Sequence, residues 1–141
     1  AYLLDAYGKA TDFKGRYVLL TYLEGMGAEA IRGKTVYREE KDFTEHAANG
    51  YQYSPYLLEA LLHLVATHAG GMETSGERLM IPLEIERLVF YGKARQGEEI
   101  VLEARKRAQG PEDISWDARC LDSRGNPVMW VYGIGMHWIS A

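Results

Sequence analysis

The sequence contains one cysteine, Cys120, in 141 residues. A single thiol cannot close an internal disulfide, and such usage fits a reducing compartment. There is no CxxC and no HExxH, so neither a structural nor a catalytic zinc site has support. No apolar run approaches the ~20 residues that a membrane span requires. No signal-type stretch opens the chain. Together with the lone thiol, this sets the expectation of a cytoplasmic protein with no membrane partner. The first residue is Ala rather than Met, which fits a processed product or a domain cut from something longer. Basic residues are not in excess. The formal net charge is −4, which argues against nucleic acid as the main partner. No repeat or linker breaks the pattern, and this length suits one domain, residues 1–141.

What the chain does have is apolar side chains. They make up 47% of it, enough for a core and too many for disorder. The stretch that organises the rest runs from Phe43 to Gly71, FTEHAANGYQYSPYLLEALLHLVATHAGG. Its second half predicts a helix. Ser54 suits the N-cap and Pro55 the first helical position, while Gly70 and Gly71 close the far end. Leu57, Leu58, Ala60, Leu61, Leu62, Leu64, Val65 and Ala66 make the helix apolar on nearly every side, as buried helices are. Glu59, His63 and Thr67 nevertheless fall at i, i+4 and i+8, one polar line along it. A carboxylate is costly to bury, so this line must meet a partner, a cleft or a substrate.

Around the helix the period is two. Arg16–Glu24 and Glu29–Glu40 read as a hairpin turning at Gly25 and Gly27. Leu79–Phe90 predicts a strand with Ile81, Leu83 and Ile85 on one face and Glu84 and Glu86 on the other; Pro82 places it at an edge or a strand start. Ile100, Leu102 and Ala104 point inward from the next strand, and Ile114, Trp116, Ala118 and Cys120 from the one after. Arg124–Pro127 is a turn. Val128–Ile139 is a long last strand in which Gly133 and Gly135 suggest a bulge or a close backbone approach. The expected fold is α+β, an antiparallel sheet wrapped around one long central helix.

This layout resembles the hot-dog fold, and the likeness becomes specific in the central stretch. The dehydratase domains of polyketide and fatty acid synthases carry HxxxGxxxxP, here His46-Ala-Ala-Asn-Gly50-Tyr-Gln-Tyr-Ser-Pro55. They also carry a carboxylate followed four residues later by Gln or His, here Glu59-Ala-Leu-Leu-His63. In double hot-dog synthase domains the two motifs lie in separate halves. Here both sit on one hot dog, as in the free-standing 3-hydroxyacyl-acyl-carrier-protein dehydratases, which also use Glu. The chain departs from the family at Tyr56, where a Gly usually follows the motif proline and lets its amide approach the substrate.

The resemblance implies dehydration of a 3-hydroxyacyl thioester to the trans-2-enoyl thioester, in fatty acid or polyketide synthesis. It implies no cofactor beyond the phosphopantetheine that carries the substrate. The partner would be an acyl carrier protein or an acyl-CoA thioester, and a homodimer is expected. His46 would be the base that removes the α-proton. Glu59 would be the acid that protonates the leaving hydroxyl, a role that asks for the apolar surroundings expected of the Leu57–Leu62 run. Amides at the helix start, around Tyr56 and Leu57, are candidates to hold the enolate oxygen. Gly50, Tyr51, Pro55, Tyr56 and His63 complete the expected substrate site, with His63 orienting Glu59. Plainer readings stand beside these. A lone loop histidine is seldom catalytic, a buried Glu often has only a structural partner, Gly50 suits a turn, and tyrosines fill space. His68 and His137 read as structural. Arg105, Lys106 and Arg107 read as a solvated strand face, and more weakly as a contact for phosphopantetheine or an acidic carrier. Two other functions compete: a hot-dog acyl thioesterase using Glu59, and a non-catalytic acyl-binding hot-dog partner.

Overall fold

The computed structural model describes residues 20, 22–38, 55–72 and 78–140. Among these described residues six strands and one helix follow in the order β1 (Tyr22–Met26), β2 (Ala30–Val36), α1 (Pro55–Met72), β3 (Arg78–Phe90), β4 (Glu99–Gln109), β5 (Asp113–Leu121) and β6 (Pro127–Ser140). The strands form one sheet in the spatial order β1-β2-β4-β5-β6-β3, antiparallel at every pairing. Helix α1 packs against β2, β4, β5 and β3, so the sheet wraps it, as expected of a hot dog.

The pattern of buried residues explains this arrangement. Ala60, Leu61, Leu64, Val65 and Ala69 of α1 are fully buried. Each large one is worth roughly 1.5–3 kcal/mol when removed from water. The sheet answers with Ile100, Leu102 and Ala104 from β4, Ile114, Trp116, Ala118 and Cys120 from β5, and Val131, Ile134 and Met136 from β6, all buried. The alternation expected in β4 and β5 is therefore the one observed. Gly33 of β2 lets the helix come close: a Cβ there would lie 2.9 Å from the Tyr22 carbonyl oxygen and 3.2 Å from Leu64 Cδ1.

Two buried polar groups pin the far end of the helix. Trp116 Nε1–H donates to His68 Nδ1 at 3.0 Å. The His68 proton is thereby placed on Nε2, which donates to the Gly27 carbonyl at 2.7 Å. This one imidazole ties α1 to β5 and to the β1–β2 turn. Its pKa is lowered by burial, against the opposing pull of the Gly27 bond. His137, at the end of β6, sits 2.6 Å from Asp113.

Three expectations need correction. Helix α1 does not stop at Gly70 and Gly71; it runs through both to Met72, and neither glycine takes the left-handed conformation that would close it. The first hairpin turns later than Gly25. That residue lies inside β1 at an irregularity, and the turn is closed by Gly27 N–H donating to Ala30 O. In β3, the register shifts between Pro82 and Glu84, so Ile81, Leu83 and Ile85 do not share a regular inward face. Leu83 is 62% exposed and Ile85 38%. The bulge and the edge position both relax the alternation that a central strand must keep. Gly133 does mark a break in β6. It has φ +64°, and its amide donates to the Asp117 side chain, Oδ1, at 3.0 Å.

Candidate functional site

Residues His46, Gly50 and Tyr51 lie outside the described residues. The other candidates all sit on the first three turns of α1, where the sequence fixes their placement. Pro55 opens the helix and is exposed. Its missing N–H is one that the first turn leaves without an intrahelical partner in any case. The amides of Tyr56 and Leu57 belong to the same first turn and lie at the positive end of the helix dipole.

Glu59 is exposed, on a helix whose neighbouring residues Leu57, Ala60 and Leu61 are buried. The expectation that the Leu57–Leu62 run would itself keep Glu59 dry is not met within one chain. Leu57 and Leu61 are buried but Leu58 and Leu62 only partly so, and the helical turn carries Glu59 away from the buried side. His63, one turn on, is 6% exposed, and burial lowers its pKa to about 4. It is therefore a neutral imidazole at neutral pH. Thr67 follows, also buried, its hydroxyl donating back to the His63 carbonyl at 2.8 Å. The polar line thus begins in solvent at Glu59 and runs into the core.

Tyr56 goes the other way. It is 3% exposed and turned toward the end of β2. Its hydroxyl donates to the Val36 carbonyl at 2.7 Å and lies 2.8 Å from Thr35 Oγ1. Its ring meets Tyr37 edge-on, with centroids 5.6 Å apart, and Arg38 stands 5.8 Å over its face. A side chain placed where the resembling enzymes have glycine is thus absorbed by the core. Thr35, which is fully buried, escaped the sequence reading. Its signal was a polar residue in the inward phase of β2, in line with Ile31, Gly33 and Tyr37.

Several charged residues elsewhere pair with one another. A groove of about 820 Å³ on the outer face of the sheet is lined by Glu24, Arg32, Glu103, Arg105, Arg119 and Trp130, and none of the candidate site residues lines it. Arg32 bridges Glu24 and Glu103, and Arg119 bonds the other Glu103 oxygen. Of the basic run in β4, Lys106 bonds Gln109 and faces Glu29, and Arg107 bonds Glu86. Among the described residues, no helix is long and apolar enough to cross a membrane.

Helix α1 lies in a curved antiparallel sheet, with Glu59 exposed near its start. The profile described as "Polyketide synthase dehydratase N-terminal domain" matches residues 24–141. The chain belongs to this dehydratase family. Among solved structures, it is similar to the dehydratase heterocomplex ApeI:P of Xenorhabdus doucetiae. That match has a TM-score of 0.71 at 12% identity over 91% of this chain and 87% of the other. A mutant thioesterase from Pseudomonas aeruginosa matches with TM-score 0.68 and 16% identity, over 84% and 81% of the two chains. A hypothetical thioesterase from Streptococcus pneumoniae, solved with coenzyme A, matches with TM-score 0.64 and 12% identity, over 84% of each. At these identities the likeness establishes a shared hot-dog fold, which dehydratases and thioesterases have in common. No curated protein matches the chain by sequence.

Proposed function

We propose that this hot dog dehydrates a 3-hydroxyacyl thioester borne on the phosphopantetheine of a carrier protein or of coenzyme A. The observation that carries the reading is Glu59, a carboxyl held at the solvent side of the helix start in a chain of the dehydratase family. His46 takes the proton α to the thioester carbonyl. The electron pair passes through the enolate into the new C=C bond. The β C–O bond breaks, and Glu59 delivers a proton so that water leaves. The start of α1 is suited to the enolate oxygen, because the positive end of the helix dipole favours negative charge developing there. His63 is neutral, so it supports the carboxyl by hydrogen bonding and not by charge.

An elimination of this kind needs water kept away from Glu59, and in one chain that residue is exposed. A second subunit supplies the cover. Strand β3 is an edge of 13 residues, with Leu79, Leu83 and Ile85 exposed along it and Ile139 exposed on the neighbouring strand. A free edge of this length invites pairing. We therefore place His46 of one copy against Glu59 of the other in a homodimer; pairing with a different chain, as the name of the Xenorhabdus dehydratase heterocomplex suggests for that protein, is the alternative assembly.

The thioesterase neighbours favour a second reading, in which an exposed Glu59 attacks the thioester or activates water. Incubation with a 3-hydroxyacyl thioester separates the two. An enoyl thioester without free thiol supports dehydration, and thiol release supports the thioesterase. Neither product indicates an acyl-binding partner. Under the dehydratase reading, Glu59→Gln and His46→Ala each lower the rate by about 10²–10⁴-fold, and near-normal turnover by either folded variant contradicts the assignment.

A further inference from the structure

We propose that Tyr56 is a positioning residue, whose hydroxyl fixes the first turn of α1 and with it the carboxyl of Glu59. This rests on the dehydratase reading of Glu59. The residue is the second of the helix and Glu59 lies three further on, so one turn of backbone separates them. A helix start is the part most ready to fray, because its first amides lack intrahelical partners. Here it is held by a buried clamp. The Tyr56 hydroxyl donates to the Val36 carbonyl at 2.7 Å, so its lone pair is left to accept from Thr35 Oγ1 at 2.8 Å. Thr35 is fully buried and Tyr56 nearly so.

The other end of the clamp is fixed in turn. Val36 is in register with Glu99 of β4, and Tyr37 N–H donates to Glu98 O while Tyr37 O accepts from Gly97 N–H, both at 2.9 Å. The first turn is thus referenced to the centre of the sheet through β2 and β4. Its far end is referenced separately, through His68 to Gly27 and Trp116. Two buried polar anchors, one at each end, leave little freedom for the helix to rotate or slide. A displacement of about 1 Å at a reacting group can cost as much as ~100-fold in rate. A ring that is 3% exposed presents almost no surface to substrate. Its contribution must pass through the backbone.

The test uses Tyr56→Phe, which keeps the ring and removes only the hydroxyl. Thr35→Val serves as a second variant. Steady-state dehydration of a 3-hydroxyacyl pantetheine thioester is measured alongside amide hydrogen exchange. Tyr56→Phe is expected to lower kcat about tenfold with KM unchanged. Exchange of the Glu59–Leu61 amides should quicken about tenfold, while that of Leu64–His68 is unaltered. Thr35→Val should act in the same direction but less, and the double variant should be no worse than Tyr56→Phe alone, because both remove one network. Wild-type kcat with wild-type exchange in Tyr56→Phe overturns the proposal. So does faster exchange along the whole helix, the mark of general destabilisation. If the wild-type protein forms no enoyl thioester, the dehydratase reading fails, and the exchange arm alone decides whether the clamp holds the first turn.

Discussion

Four side chains of α1 divide the work between solvent and core. Glu59 is exposed, while Tyr56, His63 and Thr67 are buried. The sequence showed Glu59, His63 and Thr67 as one line but not which end of it was wet, because spacing gives direction around a helix and not the depth of cover above it. Burial of His63 has a measurable consequence. Its pKa is about 4 in the folded chain, against an ordinary value of 6.5. Below about pH 6.5 the unfolded chain binds this proton before the folded one does, so stability falls as pH drops toward 4. The contribution is complete above pH 6.5 and amounts to roughly 3 kcal/mol at most. His68, also lowered by burial, acts in the same direction. Urea unfolding at pH 7.5, 5.5 and 4.5 should show this decline, and His63→Gln should reduce it. An unchanged slope in that variant would refute the burial account.

At the scale of elements, legibility depended on how fully each one is covered. Strands β4 and β5 are central, and their inward residues could be read from alternation alone, because a slip of one residue would turn every apolar side chain to water. The helix was equally plain, since Pro55 opens it and its apolar run demands cover on several sides. Strand β3 misled because it is an edge with a shifted register, where exposure carries less penalty and alternation is not enforced. The close approach at Gly33 was not visible, since it depends on Leu64 arriving from an element far along the chain. That contact yields a prediction. Gly33→Ala forces a methyl against the Tyr22 carbonyl and Leu64, and overpacking of this kind costs about 1–3 kcal/mol. A lowered urea midpoint with unchanged slope is the expected result. Wild-type stability would mean that β1 and the helix yield without strain.

At the scale of the whole molecule, the hot-dog fold and the family were within reach of the sequence, because the motif spacing and the period-two strands point to one architecture. The exposure of Glu59 was not, since spacing along the helix does not tell how deeply a position is covered. The account predicts a homodimer at micromolar concentration by light scattering, weakened by Leu83→Lys or Ile85→Lys in the exposed edge β3. Subunit mixing tests the central claim most directly. His46→Ala and Glu59→Gln proteins, each inactive alone, are exchanged and assayed for enoyl thioester formed from a 3-hydroxyacyl thioester. Random exchange puts about half of the molecules into mixed dimers, each with one intact site and one doubly damaged site. Recovery of about a quarter of wild-type activity per subunit is the predicted result; no enoyl product after verified exchange would contradict a dehydratase site shared between His46 of one subunit and Glu59 of the other.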